Sequence, residues 1–492
     1  MEFRPRPMGN TILRFLLIAC FMAIVSGCPG QGIQVTGQPS SPTLPAPQSE
    51  TVISVSNLNG GSIVTVTYND DTNKDGTIVY TPTNRTVLKG ASLMGWSYST
   101  DGGQTFAYGG QVKPPSGWSV LWGDPAITTS FRNQQYVFIS NLAVPDEKMP
   151  QGGIQCDPSN LGCMYSALGG ACIARSTDGG KTFAAYQCVT NNSDFYDGGS
   201  MIDAGDGEIF AAYVDVATDQ IDVYRSPNEN GQFSRLPNPF PNLTIYSHPR
   251  LRADRGTNSV YVATQSANGV VFINRWNGNW GTAAAASYPA PIYPNIQLSD
   301  RVLRTGPQFS YDFGAASQNG GDEIRFLYTT NQGGANNWYV RGSFCPADLS
   351  SPCKDAPEWG TTPGNLDLTG DQFNPSVRAW PGFFGLPPVW KATYLSREHD
   401  PTGNTVSVEQ GNLGVLPDGV RIFVPFDQIL NLPVCPDDRG YWGDYNDLQF
   451  SGFAQNSTAA QFISTYTDST QGCPERWEFT SQDVHVSSTQ QQ

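Results

Sequence analysis

Ser99-Thr-Asp-Gly-Gly-Gln-Thr-Phe106 and Ser176-Thr-Asp-Gly-Gly-Lys-Thr-Phe183 are two nearly identical stretches, each flanked by strand-like runs. Ser226-Pro-Asn-Glu-Asn-Gly-Gln-Phe233 is a third, degenerate copy. Asp101 and Asp178 can accept hydrogen bonds from backbone N–H groups, the glycines permit positive φ, and the closing phenylalanine can pack into a core. The pattern therefore predicts a tight turn that recurs between pairs of β-strands.

A weaker repeat lies upstream of these turns. A starting residue, often Asp or His with Pro after it, opens an alternating apolar strand, and a second strand rich in Tyr, Val, Ala and Phe follows. Seven copies begin near Glu50, Asp124, Asp197, His248, Gly306, Asn374 and Asp444. Their partner strands are 63–68, 136–141, 209–214, 260–265, 324–329, 390–395 and 461–466.

Each repeat unit has room for four short strands and exposes apolar faces that it cannot bury alone. Stacking the units radially around an axis covers those faces and leaves few free sheet edges. The sequence therefore predicts an all-β fold, a β-propeller of four-stranded blades over residues 51–492. Seven repeats are counted, although the propeller would have six blades if the first and last units share one sheet. The alternative fold is a two-domain β-sandwich.

Composition agrees with this fold class and excludes several functions. Hydrophobic residues make up 38% of the 492 residues and charged residues 14%, with 52 Gly and 37 Pro, which favours a turn-rich β protein over a helical or disordered one. The net charge of −15 argues against a nucleic-acid partner, since phosphates attract clustered Lys and Arg. Only three histidines occur (His248, His399 and His485), so no His-rich metal site is expected.

The N-terminus is typical of an exported protein. Arg4, Arg6 and Arg14 precede an apolar run, 15–25, that ends in Ser26-Gly27-Cys28. The run is too short to cross a bilayer, which takes roughly 20 residues. Residues 1–27 are therefore predicted to be a signal peptide.

Cys28 closes a sequence that resembles a bacterial lipobox, which predicts lipidation of this cysteine. Lipid chains would then anchor the protein to the membrane of the cell envelope. Because Pro29 rather than Asp follows, the outer membrane or cell surface is favoured; an ordinary signal peptide is the alternative. Residues 28–50, rich in Pro, Gly, Ser and Gln, are predicted to be a flexible tether. A monomer is expected.

Eight of the ten cysteines lie beyond the leader and Cys28. An even number in an exported chain predicts disulfides, and eight cysteines allow 105 pairings. Proximity in sequence favours four pairs: Cys156–Cys163, Cys172–Cys188, Cys345–Cys353 and Cys435–Cys473. Zinc is disfavoured because no Cys-x2-Cys pair is present.

The repeated turns resemble the Asp-boxes of the sialidase superfamily, whose pattern is S-x-D-x-G-x-T-F. The matching residues are Ser99, Asp101, Gly103, Thr105 and Phe106, then Ser176, Asp178, Gly180, Thr182 and Phe183. Gly443, Asp444 and Tyr445 in the last unit are also similar to exported bacterial members. The resemblance implies that the turns join the third and fourth strands of a blade, away from the active site, and have a structural role.

The resemblance also implies the parts of a working sialidase: three Arg for the substrate carboxylate, a Tyr nucleophile with its Glu, and an Asp acid/base. The Phe/Tyr-Arg-Ile-Pro motif of the family is missing; the nearest match is Phe131-Arg132-Asn133-Gln134. Arg250, Arg252 and Arg378 are candidates because they lie on inner strands, where alternation would direct some of them toward the channel. Asp124, Asp444 and Tyr445 are candidates because they stand where repeat units begin, around the mouth of the channel. Ordinary surface Arg, turn-capping Asp and packed Tyr are the alternative interpretation.

Two long loops are predicted to lie beside the channel opening, Asn69–Gly90 and Leu142–Ala171, and to form a recognition surface. In the first loop, Asp71, Asn73 and Asp75 match the opening of a calcium-binding loop. It is not an EF-hand, because Pro82 stands where the final Glu is required. Calcium is therefore the one cofactor to consider, with a solvated acidic turn as the alternative.

These observations predict a cell-envelope lipoprotein whose propeller binds glycans or another extracellular partner such as a surface protein. One alternative is an exo-glycosidase of the sialidase type with a diverged site; another is a structural propeller in envelope assembly. Because the Phe/Tyr-Arg-Ile-Pro motif is missing, little or no release of sialic acid is expected.

Overall fold

The structure is a computed structural model. It describes residues 33–35, 48–58, 61–70, 76–81, 84–156, 167–190, 195–245, 247–287, 296–297, 302–303, 309–314, 322–331, 338–356, 359, 370–380, 389–398, 405–415, 421–433, 447–453, 460–468 and 483–490. Within these ranges the chain is almost entirely β-structure, with one short 3-10 turn at Asp146–Lys148. No helix in the described ranges has the length and apolar character needed to cross a membrane.

The described strands form seven principal antiparallel sheets, I to VII. Sheet I contains β2 (Gln48–Leu58), β3 (Gly61–Asp70), β6 (Met94–Ser99) and β7 (Ala107–Gln111). Sheet II contains β8 (Trp118–Leu121), β9 (Ala126–Thr129), β10 (Val137–Pro145), β12 (Gly170–Ser176) and β13 (Ala184–Val189). Sheet III contains β14 (Tyr196–Asp203), β15 (Ile209–Asp215), β16 (Gln220–Ser226) and β17 (Ser234–Arg235). Sheets IV and V contain β18 (Arg250–Asp254), β19 (Ser259–Gln265), β20 (Val271–Trp276) and β21 (Ala284–Ala285); then β24 (Phe309–Gly314), β25 (Glu323–Thr330), β26 (Tyr339–Pro346) and β27 (Lys354–Ala356). Sheets VI and VII contain β28 (Gln372–Trp380), β29 (Val389–Ser396), β30 (Thr405–Val415) and β31 (Arg421–Pro433); then β32 (Asp447–Phe453), β33 (Ala460–Asp468), β34 (Asp483–Gln490) and β1 (Ile33–Gln34).

The inner strands of these sheets form a closed ring. β2, β9, β14, β18, β24, β28 and β32 contact one another in this order, and β32 contacts β2 again. Polar side chains connect neighbouring strands of the ring: Ser200 Oγ accepts from the Leu251 N–H at 2.9 Å, and Ser310 Oγ accepts from the Val377 N–H at 3.1 Å. The predicted all-β propeller is thus confirmed, and the β-sandwich alternative is wrong.

The N-terminal segment corrects one prediction. Ile33 pairs with Val486 and Gln34 with His485, so β1 adds an outer strand to sheet VII, and Val35 is buried. The prediction of a tether throughout 28–50 is therefore wrong at residues 33–35, and also at 48–50, where β2 begins. An added edge strand is held by backbone hydrogen bonds over only two residues, and such a pairing leaves no mark on composition.

The repeated turns lie between β6 and β7 and between β12 and β13, the third and fourth strands of their blades. Ser99 Oγ donates to Asp101 Oδ1 at 2.6 Å, and that oxygen accepts from the Thr105 N–H at 2.9 Å. The second turn repeats this geometry with Asp178, at 2.7 and 3.0 Å. Burial raises the pKa of Asp101, but these hydrogen bonds outweigh it and lower the pKa to about 2. The aspartates are thus fully used in holding the turns.

Two of the predicted disulfides are confirmed. Cys172 is bonded to Cys188 and Cys345 to Cys353. Cys156 is also disulfide-bonded. Its predicted partner Cys163, together with Cys435 and Cys473, lies outside the described residues.

The two long loops contact each other through a small sheet that the sequence did not predict. The first loop contains β4 (Ile78–Thr81) and β5 (Asn84–Val87), and the second contains β11 (Ile154–Cys156). β11 pairs with β5, and β5 pairs with β4. The strands β22 (Ile296–Gln297) and β23 (Val302–Leu303) form a separate pair. The recognition surface proposed for the two loops is therefore one folded unit where it is described.

Candidate functional site in the propeller channel

A cavity of about 580 Å³ lies among the inner strands β2, β9, β14, β18, β24 and β28. Most of its lining is small or apolar, but it also contains six charged residues, which are Arg250, Arg252, Arg255, Arg378, Asp254 and Asp312. Four arginines and two aspartates thus line the cavity of a protein whose net charge is −15. The channel is therefore locally cation-rich, which suits an anionic ligand.

Arg252 and Arg378 occupy corresponding positions on β18 and β28, and both are buried. Arg252 Nε donates to the Tyr311 carbonyl at 3.0 Å, and its Nη1 donates to the Leu251 carbonyl at 2.7 Å. Arg378 Nη1 likewise donates to the preceding carbonyl, that of Val377, at 3.3 Å. These two bonds to backbone carbonyls hold the Arg252 side chain in place. Because a guanidinium carries five N–H donors, others are left to bind a ligand.

Asp312 on β24 contacts Arg252 and the backbone of the residue that follows Arg378. Its Oδ1 is 3.9 Å from Arg252 Nε, and its Oδ2 accepts from the Ala379 N–H at 2.7 Å. Burial raises the pKa of Asp312 above its ordinary value, although Arg252 and the backbone donors oppose the shift. Asp312 thus connects strands β18, β24 and β28 in the cavity wall.

A second group of side chains lies where three neighbouring inner strands begin. Asp124, Asp197 and His248 precede or open β9, β14 and β18, and their potential ligand atoms all lie within 4.8 Å of one another. We call these three residues the channel-start cluster. Burial raises the pKa of Asp197, but the interactions with His248, with Asp124 and with the Gly198 N–H outweigh burial and hold the pKa well below its ordinary value.

The backbone at Gly198 positions the side chains of the channel-start cluster. Asp124 and Gly198 both have left-handed φ, 59° and 57°. The Gly198 N–H donates to Asp124 Oδ2 at 3.0 Å. A Cβ on Gly198 would lie 2.3 Å from His248 Cγ, so glycine is required for the imidazole to pack there.

The cluster and the cavity follow each other along the same strands. Ala126, Gly199 and Arg250 line the cavity, and each comes two residues after a cluster residue. Two residues of extended chain span about 7 Å. The channel thus has an acidic and imidazole end followed by an arginine-lined section.

The structure places some predicted site residues together and others apart. Arg250, Arg252 and Arg378 share the cavity, and Asp124 lies in the cluster. Arg132 is instead in the turn after β9, donating to the Asp206 carbonyl at 3.3 Å. Neither Tyr nor Glu is among the described cavity-lining residues, so a Tyr–Glu nucleophile pair is not seen there.

Several predictions concern residues outside the described ranges, namely Asp444, Tyr445, Asp71, Asn73 and Asp75. Sequence reasoning missed the roles of Asp197, His248, Arg255 and Asp312. Asp197 and His248 were visible as starting residues of repeat units, but that repetition alone does not show that three of the starts converge. Nothing in the sequence distinguishes Arg255 or Asp312 from ordinary turn or strand residues.

Comparisons with known proteins give no family for this chain. No protein-family model matches it, and no curated protein matches it. Among solved structures it is similar to an α-L-arabinanase of Penicillium chrysogenum with arabinobiose (11% identity, TM-score 0.42, covering 93% of this chain and 97% of the other). It is also similar to an α-L-arabinofuranosidase of Fusarium graminearum (8%, 0.43, 93% and 98%) and to the intramolecular trans-sialidase of Ruminococcus gnavus (9%, 0.41, 77% and 93%). Similarity at this level says nothing about ligand or reaction.

Proposed function

We propose that this protein binds an acidic saccharide in its channel, with a carboxylate of the sugar held by the arginine-lined cavity. The observation that supports this is the gathering of Arg250, Arg252, Arg255 and Arg378 around one cavity in an otherwise acidic protein. Guanidinium groups bind carboxylates through paired, charge-assisted hydrogen bonds. The mostly small and apolar remainder of the wall suits the faces of a sugar ring.

Binding of uronic or sialic acids should depend on the carboxylate and on the cavity arginines. Replacing Arg378 or Arg250 with glutamine is expected to weaken binding about 10- to 100-fold, since a hydrogen bond to a charged group is worth about 1.5–3 kcal/mol. Calorimetric titration of the mature chain with acidic sugars and their methyl esters measures this.

Arg132→Gln is the matched control, because Arg132 lies outside the cavity wall and should leave affinity unchanged. Methyl esters that bind as tightly as the free acids would contradict the proposal. So would an equal loss of affinity in the Arg132 variant.

Hydrolysis of the bound saccharide is a second candidate, which is the exo-glycosidase alternative. Asp254 and Asp312 favour it, because both carboxylates line the cavity and a glycosidase uses two carboxylates as acid and nucleophile or base. Release of sialic acid from such substrates is still expected to be slow or absent. Turnover of about 1 per second or faster on such a substrate would make hydrolysis the main function.

We also propose that the protein is exported and lipid-anchored to the cell envelope, as its first 28 residues suggest. The disulfides support an oxidising compartment. A Cys28→Ser variant should move from the membrane fraction to the soluble fraction or remain an unprocessed precursor. Palmitate labelling and fractionation test this; labelling equal to that of the unaltered protein would contradict the anchor. Membership of the sialidase superfamily likewise remains a proposal, supported by the two repeated turns.

A further inference from the structure

We propose that the channel-start cluster, Asp124, Asp197 and His248, binds one divalent transition-metal cation of the Zn²⁺ or Mn²⁺ class. The proposal is independent of the saccharide, because these three residues precede the cavity-lining residues and are not part of its wall.

The spacing of the ligand atoms is close to that around a shared ion. Ligands about 2.0–2.2 Å from a tetrahedral cation lie about 3.3–3.6 Å from each other. His248 Nε2 is 3.7 Å from Asp197 Oδ2, and all three ligand atoms lie within 4.8 Å of one another. Small side-chain movements would bring all three atoms onto one ion.

The donor chemistry selects the class of cation. One imidazole nitrogen and two carboxylates suit Zn²⁺ or Mn²⁺, whereas Ca²⁺ and Mg²⁺ prefer oxygen ligands alone. Three protein ligands also leave coordination positions for water or another ligand.

Neighbouring groups hold the three side chains in position, as the hydrogen-bond partners of metal ligands do in metal sites. The Gly198 N–H fixes Asp124 Oδ2 at 3.0 Å, and the missing Cβ of Gly198 makes room for the imidazole. Tyr196, next to Asp197, stacks on Tyr213 with ring centroids 5.4 Å apart and donates to Asp222 Oδ2 at 2.7 Å. The start of β14 is therefore fixed on both sides of Asp197.

The test is a titration of the chelator-treated mature protein with Zn²⁺ and with Mn²⁺, in the absence of any sugar. One equivalent of at least one of these metals is expected to bind, and it should raise the melting temperature. Co²⁺ in place of the metal should give a visible absorption spectrum that reports nitrogen and oxygen ligation.

His248→Gln and Asp124→Asn should each weaken metal binding at least tenfold. Removing a residue that only hydrogen-bonds to a metal ligand already lowers metal affinity about 10- to 100-fold, and removing the ligand itself should cost no less. Circular dichroism of each variant establishes that it is folded, and two variants guard against the failure of one. Asp146→Asn is the control, because this exposed carboxylate pairs with Lys89 outside the cluster. The proposal is overturned if neither metal binds stoichiometrically, or if the folded cluster variants bind as tightly as the control. Loss of sugar binding with intact metal binding would overturn only the saccharide proposal.

Discussion

Replacing Arg325 with alanine is expected to lower the free energy of unfolding by about 3–5 kcal/mol. Arg325 on β25 is 1% exposed. Its guanidinium carbon lies 4.1 Å from the ring centroid of Trp359 and 3.3 Å from that of Trp390. Glu323 Oε2 accepts from Nη2 at 3.2 Å. The arginine therefore forms a buried cation–π contact between sheets V and VI, because Trp390 lies on β29.

The loss should be large because several terms act together. Alanine leaves a cavity between two indole rings, removes two desolvated cation–π contacts, and takes the partner from the half-buried Glu323 carboxylate. The site has little room to close, since a Cβ on Gly314 would already lie 2.1 Å from Trp390 Cζ2.

Urea unfolding followed by circular dichroism measures this loss. Lys89→Ala is the matched control: its partner is Asp146, at 2.8 Å, and both side chains are well exposed. An exposed ion pair contributes about 0–1 kcal/mol. If Arg325→Ala costs no more than Lys89→Ala, the buried cation does not stabilise the contact between sheets V and VI.

Removing the Cys172–Cys188 disulfide by replacing both residues with alanine should cost about 3 kcal/mol, by the chain-entropy argument for a loop of this length. The two cysteines are 16 residues apart and face each other across β12 and β13. The loop that they close contains the second Asp178 turn. Removing this cross-link should therefore increase the conformational entropy of the unfolded chain far more than it alters the folded turn.

The Cys345–Cys353 pair supplies the comparison, because it closes a shorter loop with a separation of 8 residues. The same argument predicts a smaller loss there, about 2.5 kcal/mol. Urea midpoints of the two double variants, measured under non-reducing conditions, give both values. A loss below about 1 kcal/mol for the Cys172–Cys188 pair would show that the folded strands, not the cross-link, supply the stability.

Much of the fold follows from local patterns. The alternating runs at 63–68 and 209–214 are strands as predicted, and they are the second strands of their sheets. Short-range cysteine spacing also predicted Cys172–Cys188 and Cys345–Cys353. These features depend on interactions between residues close in the chain, where side-chain alternation and turn residues act directly.

The candidate site was only partly predictable. Arg250, Arg252 and Arg378 could be assigned to inner strands by alternation, but their common cavity depends on the placing of sheets IV and VI in the ring. The partnership of Asp124 with Asp197 and His248 was not predictable, because the hydrogen bond from Gly198 joins residues 74 positions apart.

The β-propeller of repeated units, the tight turns at 99–106 and 176–183 and the disulfides that close short loops all follow from local sequence patterns. The pairing of β1 in sheet VII, the pairing of β5 with β11 and the meeting of three strand starts at the channel depend on the folded arrangement of the whole ring. Strands and turns are determined by residues that are neighbours in the chain. The order and tilt of the blades around the axis, which close the ring, determine which distant side chains meet.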